Sequence, residues 1–279
     1  MAEGRKEYNI DEGVSAMTFE QARTNPLMSP SLKERGVMYY EKVDSTNVVA
    51  KTLARSGRPH MTAVLSEEQE YGRGRRGRSW LSRPGVGAWM SLIVRPKILP
   101  QRAPELVIVT AVALWEALAS LTGNDTRIKW PNDVHYGSDK ICGTLLELGG
   151  IADPDKMLDF AVIGVGINVL GHDFPADLPE AASIESAMGV TLQRANVVEC
   201  FLDCFERTYD QWLAEGLDAI MPKYRAHSST LGARIKALCP DGERIGVAED
   251  IAEDGALMLR MEDGSLERLY AGDVSIRGI

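Results

Sequence analysis

The sequence predicts an α+β fold: a mixed or antiparallel sheet with covering helices, followed by a small C-terminal β-barrel. Three observations carry this. Two long stretches keep the apolar spacing of helices, several short apolar runs have strand length, and three Asp-Gly turn signals crowd into the last fifty residues.

Taken in order, residues 1 to about 35 are polar and poorly periodic, with breakers at Asn25-Pro26 and Ser29-Pro30, and read as a loosely packed lead-in (1–35). The main unit is expected over 36–229. Its first strand is Val37-Met38-Tyr39-Tyr40, and the Asp44-Ser45-Thr46-Asn47 tract offers side chains to cap a short amphipathic helix ending near Ser56. Thr62 to Ser66 and Ala88 to Val94 read as strands on either side of a loop from Glu70 to Ser79. Pro104 opens a helix in which Leu106, Val109, Ala113, Leu114, Ala117, Leu118 and Leu121 keep helical spacing until Gly123. Arg127 to Trp130 and Lys140 to Leu148 read as two strands joined by one polar turn, and Phe160 to Val169 as a strand broken by two glycines. Val198, Phe201, Leu202, Phe205, Tyr209, Trp212 and Leu213 form the stripe of a helix lying on a sheet. Over 230–279, Asp241-Gly242, Asp254-Gly255 and Asp263-Gly264 separate short strands, the texture of a small barrel.

The net charge of −9 argues against a protein that coats nucleic acid or anionic membrane over its whole surface. With 44% hydrophobic and 25% charged residues, the chain lies far from the composition of disorder. The opening MAEGRKEYNIDEGV lacks a signal-peptide core, and no apolar run is expected to approach the roughly 18 residues of a membrane span. The expected location is cytoplasmic. Cys142, Cys200, Cys204 and Cys239 form no CxxC pair, and the dispersed histidines build neither a metal site nor a triad by local spacing. Cys200 and Cys204 share a helix face without nearby histidine, which favours packing over metal binding.

Three constellations carry chemistry. The loop Gly72-Arg73-Gly74-Arg75-Arg76-Gly77-Arg78-Ser79-Trp80 sets four arginines among three glycines. Arginine forks bind phosphate and carboxylate bidentately, and glycine lets backbone N–H groups approach an anion. GRGRRG fits GxGxxG literally, but that dinucleotide fingerprint turns directly into a helix, whereas Pro84, Gly85 and Gly87 intervene here before a strand. The loop alone leaves a nucleic-acid patch and a merely solvated surface open. Lys129-Trp130-Pro131-Asn132-Asp133 and Asp139-Lys140-Ile141-Cys142-Gly143 place two lysines, an amide and a carboxylate around one expected hairpin. Simpler residues make better hairpins, so these side chains are expected to be used. Gly164-Val165-Gly166-Ile167-Asn168 puts glycines in an apolar strand, the mark of either a bulge or a backbone close to a ligand.

In order and spacing these segments, with Asp44 to Asn47 and Gln69, resemble the biotin protein ligase pattern over roughly residues 38 to 279. The resemblance implies a catalytic domain like that of class II aminoacyl-tRNA synthetases and an SH3-like C-terminal barrel. It implies activation of biotin by ATP to biotinyl-5′-AMP, then transfer to a lysine of the biotin carboxyl carrier domain of a carboxylase. By the same resemblance Ser45, Thr46, Asn47, Gln69, Gly143 and Gly166 line the biotin site. Arg73, Gly74 and Arg75 lie on a loop over biotin and adenylate, and Lys140 and Arg75 are the catalytic cations. Arg75 and Lys140 also reach the adenylate, with Arg78, Trp80, Lys129, Asn132, Asp133 and Asn168 on the ATP side and Mg²⁺ accompanying ATP. Some members carry an N-terminal winged-helix domain and act as repressors. The residues before Tyr39 are too few for one and lack its patterning, so neither DNA nor membrane is an expected partner, while a homodimer is compatible. Thr144 stands where many relatives have an aliphatic residue. Lipoate-attaching enzymes share the fold and the adenylation logic but not this Gly-Arg loop beside Trp-Pro-Asn-Asp. A lipoate-type transferase or a non-enzymatic nucleic-acid or ligand-binding regulator are the alternatives.

Overall fold

The computed structural model describes residues 21, 24–150, 155–171, 173–239, 242–270 and 273–275. Seven strands form the first sheet: β1 (Met38–Val43), β2 (Ala63–Gln69), β3 (Gly87–Val94), β4 (Thr126–Lys129), β5 (Asp133–Tyr136), β6 (Asp139–Gly149) and β7 (Phe160–Asn168). Their spatial order is β1-β2-β3-β7-β6-β5-β4. Only β1 and β2 run parallel, joined by a crossover through a helix (Thr46–Arg55, α2 below), and the remaining pairs are antiparallel. The sheet is therefore mixed, as predicted.

β3 and β7 sit at its centre and read as unbroken apolar runs because both sheet faces are covered. One face meets α2 (Thr46–Arg55), whose Val49, Ala50 and Leu53 pack with Val64, Ile93, Phe160 and Val162. The other face carries α3 (Glu105–Thr122) and α5 (Arg194–Glu215), which bury Leu106, Val109, Phe201, Phe205 and Trp212 with Met90, Leu92 and Val165. Gly123 ends α3 in the left-handed conformation at φ 65°, which a residue without Cβ adopts at little cost. The remaining helices are short: α1 (Pro30–Glu34), α4 (Ile184–Met188) and α6 (Met221–His227).

Several expectations are corrected. Residues 1–20 lie outside the described part, but from 24 to 35 the chain is not loosely packed, since Leu27 and Leu32 are fully buried. The Ser29-Pro30 pair is a helix start: Ser29 Oγ accepts the Leu32 N–H, and Pro30 occupies a first-turn position where its missing N–H costs nothing. The single hairpin between Arg127 and Leu148 is two hairpins, because β5 intervenes and the cis Trp130-Pro131 link turns the chain between β4 and β5. β7 is continuous through its glycines, in regular register with β3 and β6. Leu213, at the end of the α5 stripe, is half exposed. One apolar run does have the length and hydropathy of a membrane span, namely Pro100–Thr122. It is α3 with its preceding turn, a core helix apolar all round because it is enclosed, and its buried Glu105 is paired with Arg102 and accepts from Trp212 Nε1–H.

The second sheet contains β8 (Arg234–Cys239), β9 (Gly242–Ile251), β10 (Leu257–Met261), β11 (Leu266–Leu269) and β12 (Asp273–Ser275) in the order β11-β10-β9-β8-β12, antiparallel throughout. Gly255 and Gly264 take φ of 80° and 85° in its turns. This small antiparallel unit is consistent with the expected SH3-like barrel. Its Ile235, Ala248, Leu257 and Leu259 are continuous with the core of the first sheet, and at the seam Trp130 N–H donates to Thr230 Oγ1 at 2.9 Å.

Candidate active site

The site forms over the end of the first sheet where β1 leads into α2. Ser45 occupies the N-cap position but its side chain caps nothing, contrary to expectation. Gln69, at the end of β2, takes that role across the sheet: its Oε1 accepts from Thr46 N–H at 2.8 Å and lies 3.0 Å from Thr46 Oγ1, while its Nε2 donates to Ser82 Oγ at 2.7 Å. Ser91 Oγ on β3 lies 2.7 Å from Thr46 Oγ1 and 2.5 Å from Asn47 Oδ1. Asn47 Nδ2 donates to Glu147 Oε2 at 2.8 Å, and Lys51 pairs with the other Glu147 oxygen. Ser45, Thr46, Asn47 and Ser91 are all buried. The result is a dry floor of neutral hydrogen-bonding groups.

The glycines of β7 serve side chains of this site. A Cβ on Gly164 would fall 2.3 Å from Asn47 Oδ1, and one on Gly166 would fall 2.4 Å from Trp80 Nε1. On Gly143 it would lie 3.0 Å from both Trp80 Cζ3 and Asp133 Oδ1. Gly166 and Gly143 thus make room for the Trp80 indole, which lies flat against the sheet.

The Gly-Arg loop is folded as a small hairpin. Trp80 N–H donates to Gly72 O and Gly74 N–H to Arg78 O, both at 2.8 Å, and the tip turns through Arg76 and Gly77 at φ of 56° and 74°. Arg75 leaves the loop to donate to Asn132 Oδ1 at 2.9 Å, and Arg76 donates to Leu238 O of β8 at 2.7 Å. Asn132 is itself fixed, its Nδ2 donating to Thr144 O at 2.7 Å while Thr144 N–H returns to Asn132 O at 3.0 Å. The Thr144 hydroxyl adds a 3.4 Å contact to the same carbonyl, a bond no aliphatic side chain makes.

Beside this, Lys140 Nζ lies 2.6 Å from Asp133 Oδ2 and 5.4 Å from the centre of the Trp80 ring. Burial alone would raise the Asp133 carboxyl, but Lys140 and His135 outweigh it and hold the group at about 2. Asp133 Oδ1 and Trp80 Nε1 are buried without a hydrogen-bond partner. Orphaned atoms of this kind in a cleft mark places for ligand groups. Lys129 pairs with Glu180 at 3.2 Å, and Asn168 Nδ2 donates to Ala182 O at 3.1 Å.

Every predicted site residue lines one cleft of about 440 Å³: Ser45, Thr46, Asn47, Gln69, Arg73, Gly74, Arg75, Arg78, Trp80, Lys129, Asn132, Asp133, Lys140, Gly143, Gly166 and Asn168. That is the scale of a small-molecule site. Sequence reasoning missed one wall, Phe174 to Ala181, which docks when Lys140 N–H donates to Glu180 O and Ala182 N–H to Lys140 O. Val274 of the second sheet also reaches the cleft. Ser82, Ser91 and Glu147 were missed beneath the floor, since a serine or glutamate in a strand has no distinguishing local pattern. Chemically, one end offers neutral donors and acceptors in a dry pocket, and the other gathers Arg75, Lys140 and Lys129 for an anion.

Residues 39–168 match the Biotin/lipoate A/B protein ligase family, and residues 230–277 match the Biotin protein ligase C terminal domain. The biotin--[acetyl-CoA-carboxylase] ligase of Paracoccus denitrificans is 36% identical over 226 residues, covering 78% of this chain and 92% of the relative. The bifunctional ligase/repressor BirA of Bacillus subtilis is 34% identical over 243 residues, covering 86% of this chain and 74% of the relative. Among solved structures, the biotin protein ligase of Aquifex aeolicus in complex with biotin and ATP superposes with a TM-score of 0.74 at 27% identity, covering 86% of this chain and 98% of that one.

Proposed function

The chain belongs to the biotin protein ligases of the biotin/lipoate A/B protein ligase family, and on that premise we propose that it makes biotinyl-5′-AMP and passes biotin to a lysine of a biotin carboxyl carrier domain. The observation that carries the reading is the division of one cleft into a neutral floor around Thr46, Asn47 and Gln69 and a cationic end around Lys140 and Arg75. A neutral ring bearing a charged acid chain fits that polarity.

In the first step a biotin carboxylate oxygen bonds to the α-phosphorus of ATP and the bond to pyrophosphate breaks. Two anions must meet, so the barrier falls when fixed positive charge is already in place. Lys140 supplies it, oriented by Asp133 and the Trp80 face, and Arg75 supplies it from the loop while Asn132 holds its guanidinium. No enzyme nucleophile is needed. In the second step the uncharged amine of the acceptor lysine attacks the acyl carbon, the C–O bond to AMP breaks, and the nitrogen sheds a proton. Until then the Gly-Arg loop shields the anhydride from water.

Mg²⁺ enters on the ATP phosphates in this reading. Asp133 Oδ1, a buried carboxylate oxygen without a partner, is the group that would hold it, and no cluster of three acidic, His or Cys side chains exists among the described residues. The donor set therefore suits an ion that keeps its phosphate and water ligands, and bound there it adds charge neutralisation at the α-phosphate. Incubating the protein with ATP, Mg²⁺, biotin and a carrier domain, then digesting the carrier, tests the proposal: biotin on a single lysine supports it, and an unmodified carrier overturns it.

A further inference from the structure

Resting on the biotin reading, the floor network has a polarity that the bare list of its members does not reveal. Glu147 lies beneath the floor, its side chain 20% exposed, paired with Lys51 and 4.0 Å from Arg73. Burial pushes its carboxyl up, but Lys51, Asn47 and Arg73 together hold it below the ordinary glutamate range. An ionised carboxylate has only acceptor sites. Asn47 must therefore turn its NH₂ group to Glu147, which leaves Oδ1 facing Ser91. That oxygen has no hydrogen, so the one Ser91 proton goes to it. The 2.7 Å contact between Ser91 and Thr46 and the 3.0 Å contact between Thr46 and Gln69 Oε1 then both need the single Thr46 proton. Whichever takes it, the proton stays inside the protein, and Thr46 Oγ1 turns only lone pairs to the cleft.

We propose that Glu147 is a positioning residue for specificity: from beneath the floor it orders the Asn47, Ser91 and Thr46 protons so that the cleft presents an acceptor to ring N–H donors. A cyclic urea such as that of biotin carries such donors. The dithiolane ring of lipoate carries none, and a site built to pair an N–H discriminates strongly against a ligand that lacks it.

The test uses the full-length protein and calorimetric dissociation constants for biotin and for biotin methylated on either ureido nitrogen. Wild type is expected to reject at least one methylated form. In Glu147→Gln, whose amide no longer dictates the Asn47 orientation, the ratio of methylated-biotin to biotin dissociation constants is expected to shrink by up to about tenfold, the scale of one hydrogen bond. Ser91→Ala cuts the chain in its middle without touching the ion pair and is expected to act in the same direction, which keeps the test decisive if Glu147→Gln does not fold. Equal weakening of all three ligands, or an unchanged ratio in the folded variants, overturns the proposal. A wild-type protein that binds no biotin overturns the ligase reading itself.

Discussion

Arg75 is the link between the Gly-Arg loop and the strands below, through a single 2.9 Å bond to Asn132 Oδ1. Arg75→Gly is expected to leave the fold intact and to release adenylate into solution at least about tenfold faster, since a charge-assisted bond of this kind is worth about 1.5–3 kcal/mol. Chromatography of adenylate formed without acceptor measures it, and release at the wild-type rate would remove the clamp role. Asp133 makes a second prediction. Its carboxyl ionises at about 2 against an unperturbed 3.8. A lowered pKa stabilises the fold above the unperturbed value, and the gain disappears as pH falls through the folded one, here between about 4 and 2. In full it amounts to roughly 2 kcal/mol. Urea denaturation should show Asp133→Asn less stable than wild type at pH 7, with the gap closing below pH 4; a gap that does not change with pH would contradict the pairing with Lys140.

At the scale of elements, β7 illustrates both what was legible and what was not. Its apolar run and its glycines were readable, but the run alone does not distinguish a bulge, a ligand or a side chain as the reason for Gly164. The reason is Asn47, held over that position by Glu147 and Ser91 from two other strands. Gly164→Ala is expected to displace Asn47, costing about 1–3 kcal/mol of stability as an overpacked site and weakening biotin binding more than ATP binding. Chemical denaturation and calorimetry measure the two effects; unchanged biotin affinity would separate Asn47 from the biotin end. The helices α3 and α5 were legible because their apolar periodicity spans several turns, although α3 carries enough apolar residues to imitate a membrane span. β5 was not legible: four residues between a cis proline and a two-residue turn are too few to show a period. Site residues were found wherever unusual types clustered in sequence, as around Lys129 and Arg75. They were missed where the cleft borrows an ordinary residue, such as Glu180 or Val274, from a distant segment.

Across the whole molecule, the second sheet is fastened to the first at the site itself. Thr230 Oγ1 accepts from Trp130 N–H, Gly255 O lies 3.4 Å from Trp130 Nε1, and Leu238 O accepts from Arg76 at the loop tip. Trp130 lines the cleft. Thr230→Val keeps the shape but strands a buried N–H, a loss of about 1–3 kcal/mol. It is expected to lower the melting temperature and raise the KM for ATP together; a lower melting temperature with an unchanged KM would make the seam purely structural. The central claim is that this cleft joins biotin to AMP. Pyrophosphate release by the purified protein with ATP and Mg²⁺, compared for biotin, lipoate and no acid, tests it most directly. The account predicts release that requires biotin and is followed by labelling of an added carrier domain. Release with lipoate in preference to biotin, or none with either acid, would contradict it.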